Sequence, residues 1–317
     1  MRLLLIAAPS ALATAVILPA VRRAAGHGGI ELVGVVDAEW ERPRLGVPLR
    51  ALAGRLARPA RSGAPRAPVL DPLRVVAARE RIPHLAPRRR GVNDPAVVRR
   101  IAEEIRPDVA LSLMTPQLLG PELLAACGGR VVNYHDGLLP AYRGVHATGW
   151  SLYNGESRTG FSFHLMSERL DEGPVIVDGA IPVARGSTAA ELEAEKAAAA
   201  ATAVGEALAL AAAGDGGWAQ RESDGVGYYS RAATAAVTTV DDPGGCRWED
   251  LDLRLRAFGQ LDVRLAGRTW PVTALRTVSG SGAALAFTTA DGVRAQPRLC
   301  ADLPVAAYRA YRALRRR

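Results

Sequence analysis

The first two-thirds of the chain alternates short apolar runs with stretches of helical periodicity. At the start, the pattern predicts a buried strand over Arg2–Ala7, a helix over Ala11–Ala25 and a second strand over Ile30–Val36. Pro9-Ser10 predicts the turn between the first two elements, with Ser10 as the helix cap. The opening stretch therefore predicts a strand–turn–helix–strand unit.

The alternation continues through the middle of the chain. We predict helices over 71–80, 94–105, 121–126, 148–154 and 188–213, and strands over 107–113, 130–134, 160–165 and 174–177. We predict the helix over 188–213 from its many alanines, because alanine has the strongest helix propensity. Strands that alternate with helices indicate an α/β fold, with a doubly wound, mostly parallel sheet.

The last third has a different character. The stretch "AAGDGGWAQRESDGVGYYS" interrupts the pattern, and turn residues then separate alternating stretches such as "LDVRLAGRTWPVTALRTV". We therefore expect an α/β catalytic domain over 1–215, a linker over 216–245 and a small β-rich domain over 246–317. Residues 41–66 hold seven arginines and one acid, Glu41, and we expect them to leave the sheet as a separate excursion.

The charge of the chain gives little functional information. The 317 residues have a formal net charge of +8, but of the 40 basic residues only Lys196 is a lysine. An excess of arginine and alanine of this kind favours a compositional origin of the charge over selection for polyanion binding, which stays open. Cys127, Cys246 and Cys300 are scattered and odd in number, which argues against a disulfide framework and for a reducing compartment.

The N-terminal residues "MRLLLIAAPSALATAVILPAVRR" have the basic start and apolar run of a signal peptide. The strand–turn–helix–strand unit explains the whole stretch, whereas a signal peptide explains only its first part. We therefore expect a cytoplasmic protein without a membrane partner, and no later run that is long and apolar enough to span a bilayer.

Two motifs hold the candidate chemistry. In "VVNYHDGLLPAYRG", residues 131–144, Asn133 and His135 lie two apart on a predicted strand and project to the same side. They come at the carboxyl end of that strand, where open parallel sheets bind ligands. In "MSERLDEGPVI", residues 166–176, a loop between two strands carries Asp171, for which an ordinary Asp-Glu-Gly turn is the alternative explanation.

Together these motifs resemble the folate-dependent formyltransferase family, which includes the methionyl-tRNA, glycinamide-ribonucleotide and amino-sugar enzymes. The shared pattern is Asn-x-His, Leu-Leu-Pro, a basic residue before Gly, a Thr-Gly strand that ends in His, and Asp-x-Gly. The resemblance covers roughly residues 1–245 and is sharpest over 131–176. Over the tail, only the position of a small β domain fits.

The resemblance implies that Asn133, His135 and Asp171 are catalytic and that 10-formyltetrahydrofolate is the formyl donor. These residue types suit the chemistry, because attack of an amine on a formyl carbon places negative charge on the formyl oxygen. The Asn133 amide and a protonated His135 are donors that stabilise such an oxygen. Asp171 would favour the imidazolium and accept the amine proton, directly or through water. The chemistry needs no metal, and we expect none.

The resemblance also gives weaker candidates. His164 is expected either to orient Asp171 or to be a satisfied core residue, and Tyr134 is expected in the core. The pterin ring of the donor would lie against the backbone of 111–117 and the Asp171 loop. The candidate cofactor-binding residues are therefore Leu113, Met114, Thr115, Leu170, Glu172 and Gly173, although Leu113 and Met114 could be ordinary packing. Candidates for the acceptor pocket are Asp136, Arg143 and His146, each of which could instead be a loop residue with no role.

Departures from the tRNA-modifying enzymes concern the acceptor. Those enzymes usually have His-Pro-Ser-Leu-Leu-Pro, and Ala-Ala-Pro after the Arg-Gly step. This chain has His135-Asp136-Gly137 and Val145-His146 at the same places. It also lacks their short basic loop after the second strand, and its tail is shorter. We therefore expect a small primary amine as acceptor, such as a nucleotide-linked amino sugar or a specialised-metabolite amine.

Other functions stay open. The chain could formylate methionyl-tRNA, or an amine presented by an acidic carrier protein that docks on the arginines of 41–66. From other classes, it could be a non-catalytic folate- or nucleotide-binding module, or a hydrolase that passes the formyl group to water. A Rossmann dehydrogenase is disfavoured, because "IAAPSALA" after the first strand lacks the Gly-x-Gly-x-x-Gly phosphate-binding pattern. The sequence does not predict the oligomeric state.

Overall fold

The computed structural model describes residues 1–8, 11–26, 29–38, 73–87, 91–221, 227–279 and 285–299. These residues divide into two compact units, with the change from one to the other between Ser230 and Arg231. The predicted Ser10 cap, the arginine-rich excursion 41–66 and Cys300 lie outside the described residues.

The first unit holds nine strands and six α-helices among its described residues. The strands are β1 (Arg2–Ala7), β2 (Glu31–Asp37), β3 (His84–Leu85), β4 (Val109–Leu113), β5 (Val131–His135), β6 (Arg143–Gly144), β7 (Arg158–Leu165), β8 (Val175–Pro182) and β9 (Tyr228–Tyr229). The helices are α1 (Leu12–Gly26), α2 (Leu73–Glu80), α3 (Pro95–Arg100), α4 (Pro121–Ala126), α5 (Ala147–Tyr153) and α6 (Ala189–Ala213). A π-helical turn, Ile101–Ile105, continues α3.

The central sheet has seven strands in the order β3-β2-β1-β4-β5-β7-β8. Neighbours among the first five are parallel, whereas β7 is antiparallel to both β5 and β8. Alternate residues of β1 face opposite sides: Leu3 and Leu5 lie in the core layer of α1 and α6, and Leu4 and Ile6 in that of α3 and α4. The expected doubly wound, mostly parallel sheet is therefore confirmed.

Two of the predicted helices have clear starting signals. Asp94 caps α3 by accepting from the Ala96 N–H, and Thr188 and Glu191 form a capping box at α6. Contrary to our expectation, α6 is long and apolar enough by length and composition to cross a membrane. In the structure its apolar side, which includes Ala200 and Val204, packs in the core of the first unit.

The described part of the second unit contains a five-stranded sheet in the order β10-β11-β12-β14-β13. Its strands are β10 (Thr239–Val240), β11 (Leu261–Leu265), β12 (Arg268–Thr277), β13 (Phe287–Thr288) and β14 (Arg294–Leu299), and its helices are α7 (Arg231–Thr238) and α8 (Trp248–Phe258). Leu251 and Leu255 of α8 join Val263 and Val272 of the sheet in the core of this unit. The expected β-rich tail is confirmed, but the sequence predicted neither helix. Within the predicted linker 216–245, the structure forms β9, α7 and β10.

Candidate active site

The candidate site lies at the carboxyl end of β5. Asn133 and His135 project from this strand, and β7 pairs with it in a register that places Asn133 opposite His164. Directly opposite residues of an antiparallel pair have neighbouring side chains on one face of the sheet. The register therefore brings together two residues that are 31 positions apart in the chain.

His164 connects two elements of the site. Its Nδ1 lies 3.0 Å from the carbonyl oxygen of Leu165, which can only accept, so Nδ1 carries a proton. Its Nε2 lies 3.0 Å from Nδ2 of Asn133 and 3.7 Å from Oδ1 of Asp171. In the neutral tautomer, Nε2 accepts one N–H of the Asn133 amide and so fixes the orientation of that side chain. The second N–H of the Asn133 amide is not part of this contact.

His135 is also fixed by a carbonyl. Its Nε2 lies 3.0 Å from the carbonyl oxygen of Tyr142, so this nitrogen is the donor of that hydrogen bond. The other nitrogen, Nδ1, faces the carboxylate of Asp171 at 3.6 Å. His135 is only 5% exposed. The ring is therefore held in one orientation, with Nδ1 directed toward a negative group.

Asp171 lies between the two imidazoles. Its backbone is left-handed, with φ of 53°, and its Oδ2 accepts the Gly144 N–H at 2.9 Å. Burial would raise the pKa of this carboxyl. The interaction with His164, the charge of His135 and the Gly144 N–H oppose burial and lower the pKa below its ordinary value. Asp171 is therefore ionised at neutral pH, and its negative charge lies beside the imidazoles of His135 and His164.

Gly173 explains how the loop brings Asp171 to this place. A Cβ at position 173 would collide with the backbone carbonyl of Leu165, so only glycine allows this approach to β7. The structure thus brings together the predicted residues Asn133, His135, His164 and Asp171. Among the described residues, no group of three or more His, Cys, Asp or Glu side chains is arranged to hold a metal ion.

The predicted cofactor-binding residues line two loops. Leu113 ends β4 with a fully buried side chain, whereas Met114 has a left-handed backbone and is 38% exposed. Thr115 accepts a hydrogen bond from the Ser112 hydroxyl. On the second loop, Leu170 is half-buried, and Glu172 is exposed. A ligand at this edge would meet the exposed part of Met114 and the backbone of the two loops.

The predicted acceptor residues have internal partners or lie apart. Asp136 accepts the hydroxyl hydrogen bond of Thr148 at 3.1 Å, and the fully buried Lys196 donates to the Asp136 carbonyl and to the Thr148 hydroxyl. Arg143 donates to Gln220 through Nε at 3.0 Å and Nη2 at 2.7 Å. His146 precedes α5 and is exposed, and no hydrogen bond joins its side chain to the catalytic candidates in the described part of the chain.

Sequence reasoning missed Gln220, Gly144 and Lys196. Gln220 lies in a stretch that we predicted to be a linker, and no motif distinguishes it. The amide of Gly144 is a backbone donor, which no side-chain pattern can reveal. Lys196 could have been noticed in the sequence, because it is the one lysine of the chain and lies in a predicted alanine-rich helix.

Comparison with known proteins agrees with this geometry. The sequence model of the formyl transferase family matches residues 59–208, which include Asn133, His135, His164 and Asp171. Among solved structures, the chain is similar to an N-formyltransferase from Helicobacter canadensis in complex with folinic acid and dTDP-3-aminofucose. The identity is 14%, 94% of this chain and 100% of that chain are covered, and the TM-score is 0.59.

Two further structures have the same fold over nearly the whole chain. One is a sugar N-formyltransferase from a Shewanella species, at 16% identity, with 96% of this chain and 99% of that chain covered and a TM-score of 0.57. The other, from Mycobacterium tuberculosis, is described as a likely sugar N-formyltransferase, at 19% identity, with 93% and 95% covered and a TM-score of 0.53. These structures establish the shared fold, and the family match adds the motifs. Residues 59–208 therefore match the formyl transferase family, and the chain shares the fold of N-formyltransferases over nearly its whole length.

Proposed function

We propose that this enzyme moves a formyl group from 10-formyltetrahydrofolate to the primary amine of a small acceptor, and that the reaction takes place in the cytoplasm. One observation carries the proposal: Asn133, His135 and Asp171 meet at the carboxyl end of β5. The two imidazole–carboxylate distances there are 3.6 and 3.7 Å. This edge of a parallel sheet is the usual place for a ligand.

The proposed reaction exchanges one carbon–nitrogen bond for another. The acceptor amine forms a bond to the formyl carbon, and the formyl oxygen becomes negative in a tetrahedral intermediate. The second N–H of Asn133 donates to this oxygen, and the positive charge of a protonated His135 stabilises it further; the loss of one such donor typically lowers the rate about 10²–10³-fold. The amine then loses a proton to Asp171, directly or through water. The carbon–nitrogen bond to the folate breaks as that nitrogen gains a proton relayed by His135.

Asp171 acts in this scheme mainly through its charge. A carboxylate with a lowered pKa is a weak base, so an alkylammonium proton does not rest on it for long. Its fixed position beside two imidazoles lets it stabilise the imidazolium that the reaction needs. Asp171 and His135 therefore act together in proton transfer.

A nucleotide-linked amino sugar is the acceptor class that we favour. The chain departs from the tRNA-modifying pattern at Asp136, Gly137 and Val145-His146. The Helicobacter canadensis structure, which shares the fold over almost all of the chain, is in complex with dTDP-3-aminofucose. Formylation of methionyl-tRNA is the second candidate, and the net charge of +8 favours it.

The experiment is a donor assay with several acceptors. Purified protein is mixed with 10-formyltetrahydrofolate and, in turn, a dTDP-linked amino sugar, methionyl-tRNA, or buffer alone. Release of tetrahydrofolate and the mass of the acceptor are followed. We expect formylation of the amino sugar, with Asn133→Ala reducing it strongly and Gln260→Ala, at an exposed amide of the second unit, as the matched control. Equal donor consumption with buffer alone would instead identify a hydrolase, and no consumption at all would refute the proposal.

A further inference from the structure

Gln220 joins the two segments that hold the Asp171 carboxylate. Its Nε2 donates to the carbonyl of Asp171 at 2.8 Å and to the carbonyl of Gly173 at 2.6 Å. Its Oε1 accepts from both Nε and Nη2 of Arg143. Both N–H groups and the oxygen of this amide are thus engaged, which is the full capacity of a glutamine side chain. Gln220 lies beyond the residues that match the family.

The two bonds to carbonyls stabilise an unfavourable backbone. Asp171 has φ of 53°, a left-handed conformation that is unfavourable for residues other than glycine. One amide that bridges the carbonyls on both sides of Glu172 holds this loop in the shape that directs the Asp171 side chain toward the imidazoles. Without these two hydrogen bonds, we expect the backbone of Asp171 to move away from its left-handed conformation toward more common φ values.

The bond from Arg143 closes a ring of contacts. Arg143 precedes Gly144, whose N–H donates to Oδ2 of Asp171 at 2.9 Å. Gln220 therefore ties the backbone of Asp171 to the side chain of Arg143, while the next residue ties the carboxylate of Asp171 to the same segment. The guanidinium of Arg143 is only 11% exposed, and its Nη1 also lies 3.8 Å from Glu172.

Strand β9 also holds the segment Arg143–Gly144 in place. Tyr228 and Tyr229 pair in parallel with Arg143 and Gly144, and the Val145 N–H donates to the Tyr229 carbonyl. Gly144 has φ of 102°, and a Cβ there would collide with the backbone of Tyr229. The donor to Asp171 is thus fixed from two directions, by β9 and by Gln220.

We propose that Gln220 is a positioning residue that holds the carboxylate of Asp171 against His135 and His164. This inference rests on the proposed function, in which Asp171 is catalytic. It assigns a role in the active site to a segment whose sequence predicts only a linker. Gln220 acts through Asp171 and Arg143 and need not touch either substrate.

The test begins with Gln220→Leu, which removes both donors and the acceptor at nearly constant size. We expect kcat to fall about 10- to 100-fold, as for other small displacements of a catalytic group, with little change in the KM of the amine. Gln260→Leu, at an exposed glutamine of the second unit, is the matched control for the chemical change. A Gln220→Leu enzyme that folds and has the kcat of the wild type would overturn the inference.

A second variant identifies which contacts matter. Gln220→Glu keeps an acceptor for Arg143 but cannot donate to the carbonyls of Asp171 and Gly173. If the bridge over the loop positions Asp171, Gln220→Glu loses at least as much kcat as Gln220→Leu. Wild-type kcat in Gln220→Glu would show that the Arg143 contact alone suffices, and the proposed bridge would be wrong. The comparison of Gln220→Glu with the wild type remains informative if the leucine variant does not fold.

A third measurement does not depend on activity. The carboxyl carbon of Asp171, labelled with ¹³C and assigned by comparison with Asp171→Asn, is followed by NMR as pH is lowered. His135, His164 and the Gly144 N–H face this carboxylate, and their combined effect lowers its pKa. In Gln220→Leu the titration should move up toward the ordinary range of aspartate. An unmoved titration would overturn the positioning role, whereas a shift in a protein without formyl transfer would refute only the proposed function.

Discussion

Two carboxylates lie beside His135, and their surroundings differ in one decisive way. Both Asp136 and Asp171 have a pKa that burial would raise and that neighbouring charges and donors lower. For Asp136 the main opposing charge is the ammonium of Lys196, whereas for Asp171 the opposing groups are two imidazoles and a backbone N–H. Imidazoles gain and lose protons near neutral pH, and ammonium groups do not.

This difference explains how Asp136 and Asp171 can have separate roles at the carboxyl end of β5. The Lys196 side chain donates to the Thr148 hydroxyl, which donates in turn to Asp136, and the charge of Lys196 opposes that carboxylate although burial lowers the pKa of Lys196. Asp171 instead faces two imidazole rings, His135 at 3.6 Å and His164 at 3.7 Å. We infer that Asp136 fixes the backbone that follows His135, while Asp171 takes part in proton transfer.

The largest expected effect comes from exchange of the two acids for amides. Asp171→Asn should lower kcat about 10²–10⁴-fold, the usual contribution of an acid–base group, in a protein that still folds. Asp136→Asn should lower kcat less than about tenfold. The check is steady-state kinetics of both variants beside urea unfolding. Equal losses of kcat in the two variants would remove the distinction between the acids.

Much of the first unit could be predicted from its sequence. The strand Arg2–Ala7 and the helix Pro121–Ala126 have the predicted ends, because apolar runs and Pro or Gly residues mark them directly. The strand predicted over 174–177 instead continues to Pro182. Alternate residues in the second half of this strand are exposed. The strand lies at the edge of the sheet and pairs with one other strand there, so its second half has no continuous apolar run that would predict it.

The site could be predicted only in part, for a similar reason. Asn133, His135 and Asp171 carry side chains whose chemistry is visible in a motif, and the register of β5 with β7 brings them together. Backbone donors such as Gly144, and a glutamine such as Gln220, act through tertiary position alone. In the second unit, the helix Trp248–Phe258 was missed because we gave weight to the alternating residues that follow it.

The next effect in size concerns Lys196. Lys196→Met keeps the apolar stem but leaves the Asp136 carboxylate without its main opposing charge, and removal of one partner of a buried pair costs about 3–5 kcal/mol. We expect that loss in the free energy of unfolding, measured by urea titration. In an Asp136→Asn background the same change should cost clearly less, because the stranded charge is gone. Equal costs in both backgrounds would show that Lys196 does not act on Asp136.

The smallest expected effect is a change in pH dependence at Glu193. Burial, followed by the charge of Asp136, raises the pKa of Glu193 to about 7, and Lys196 opposes this only in part. The folded state keeps this proton up to about pH 7, whereas the unfolded chain loses it near its ordinary value of 4.5. Stability contributed by this group is therefore present at low pH and is lost as pH rises between these values.

Glu193→Gln removes that pH-dependent loss. The variant should match the wild type near pH 4 and exceed it at pH 8 by about 1–3 kcal/mol in the free energy of unfolding. Glu195→Gln, an exposed position of the same helix, is the matched control and should follow the wild type at both pH values. If Glu193→Gln also follows the wild type, then the pKa of Glu193 is not raised on folding, and Glu193 is ionised in the folded protein at pH 8. The Asp136 side of His135 would in that case hold two negative charges against one lysine, and the charge of Lys196 could not be what distinguishes Asp136 from Asp171.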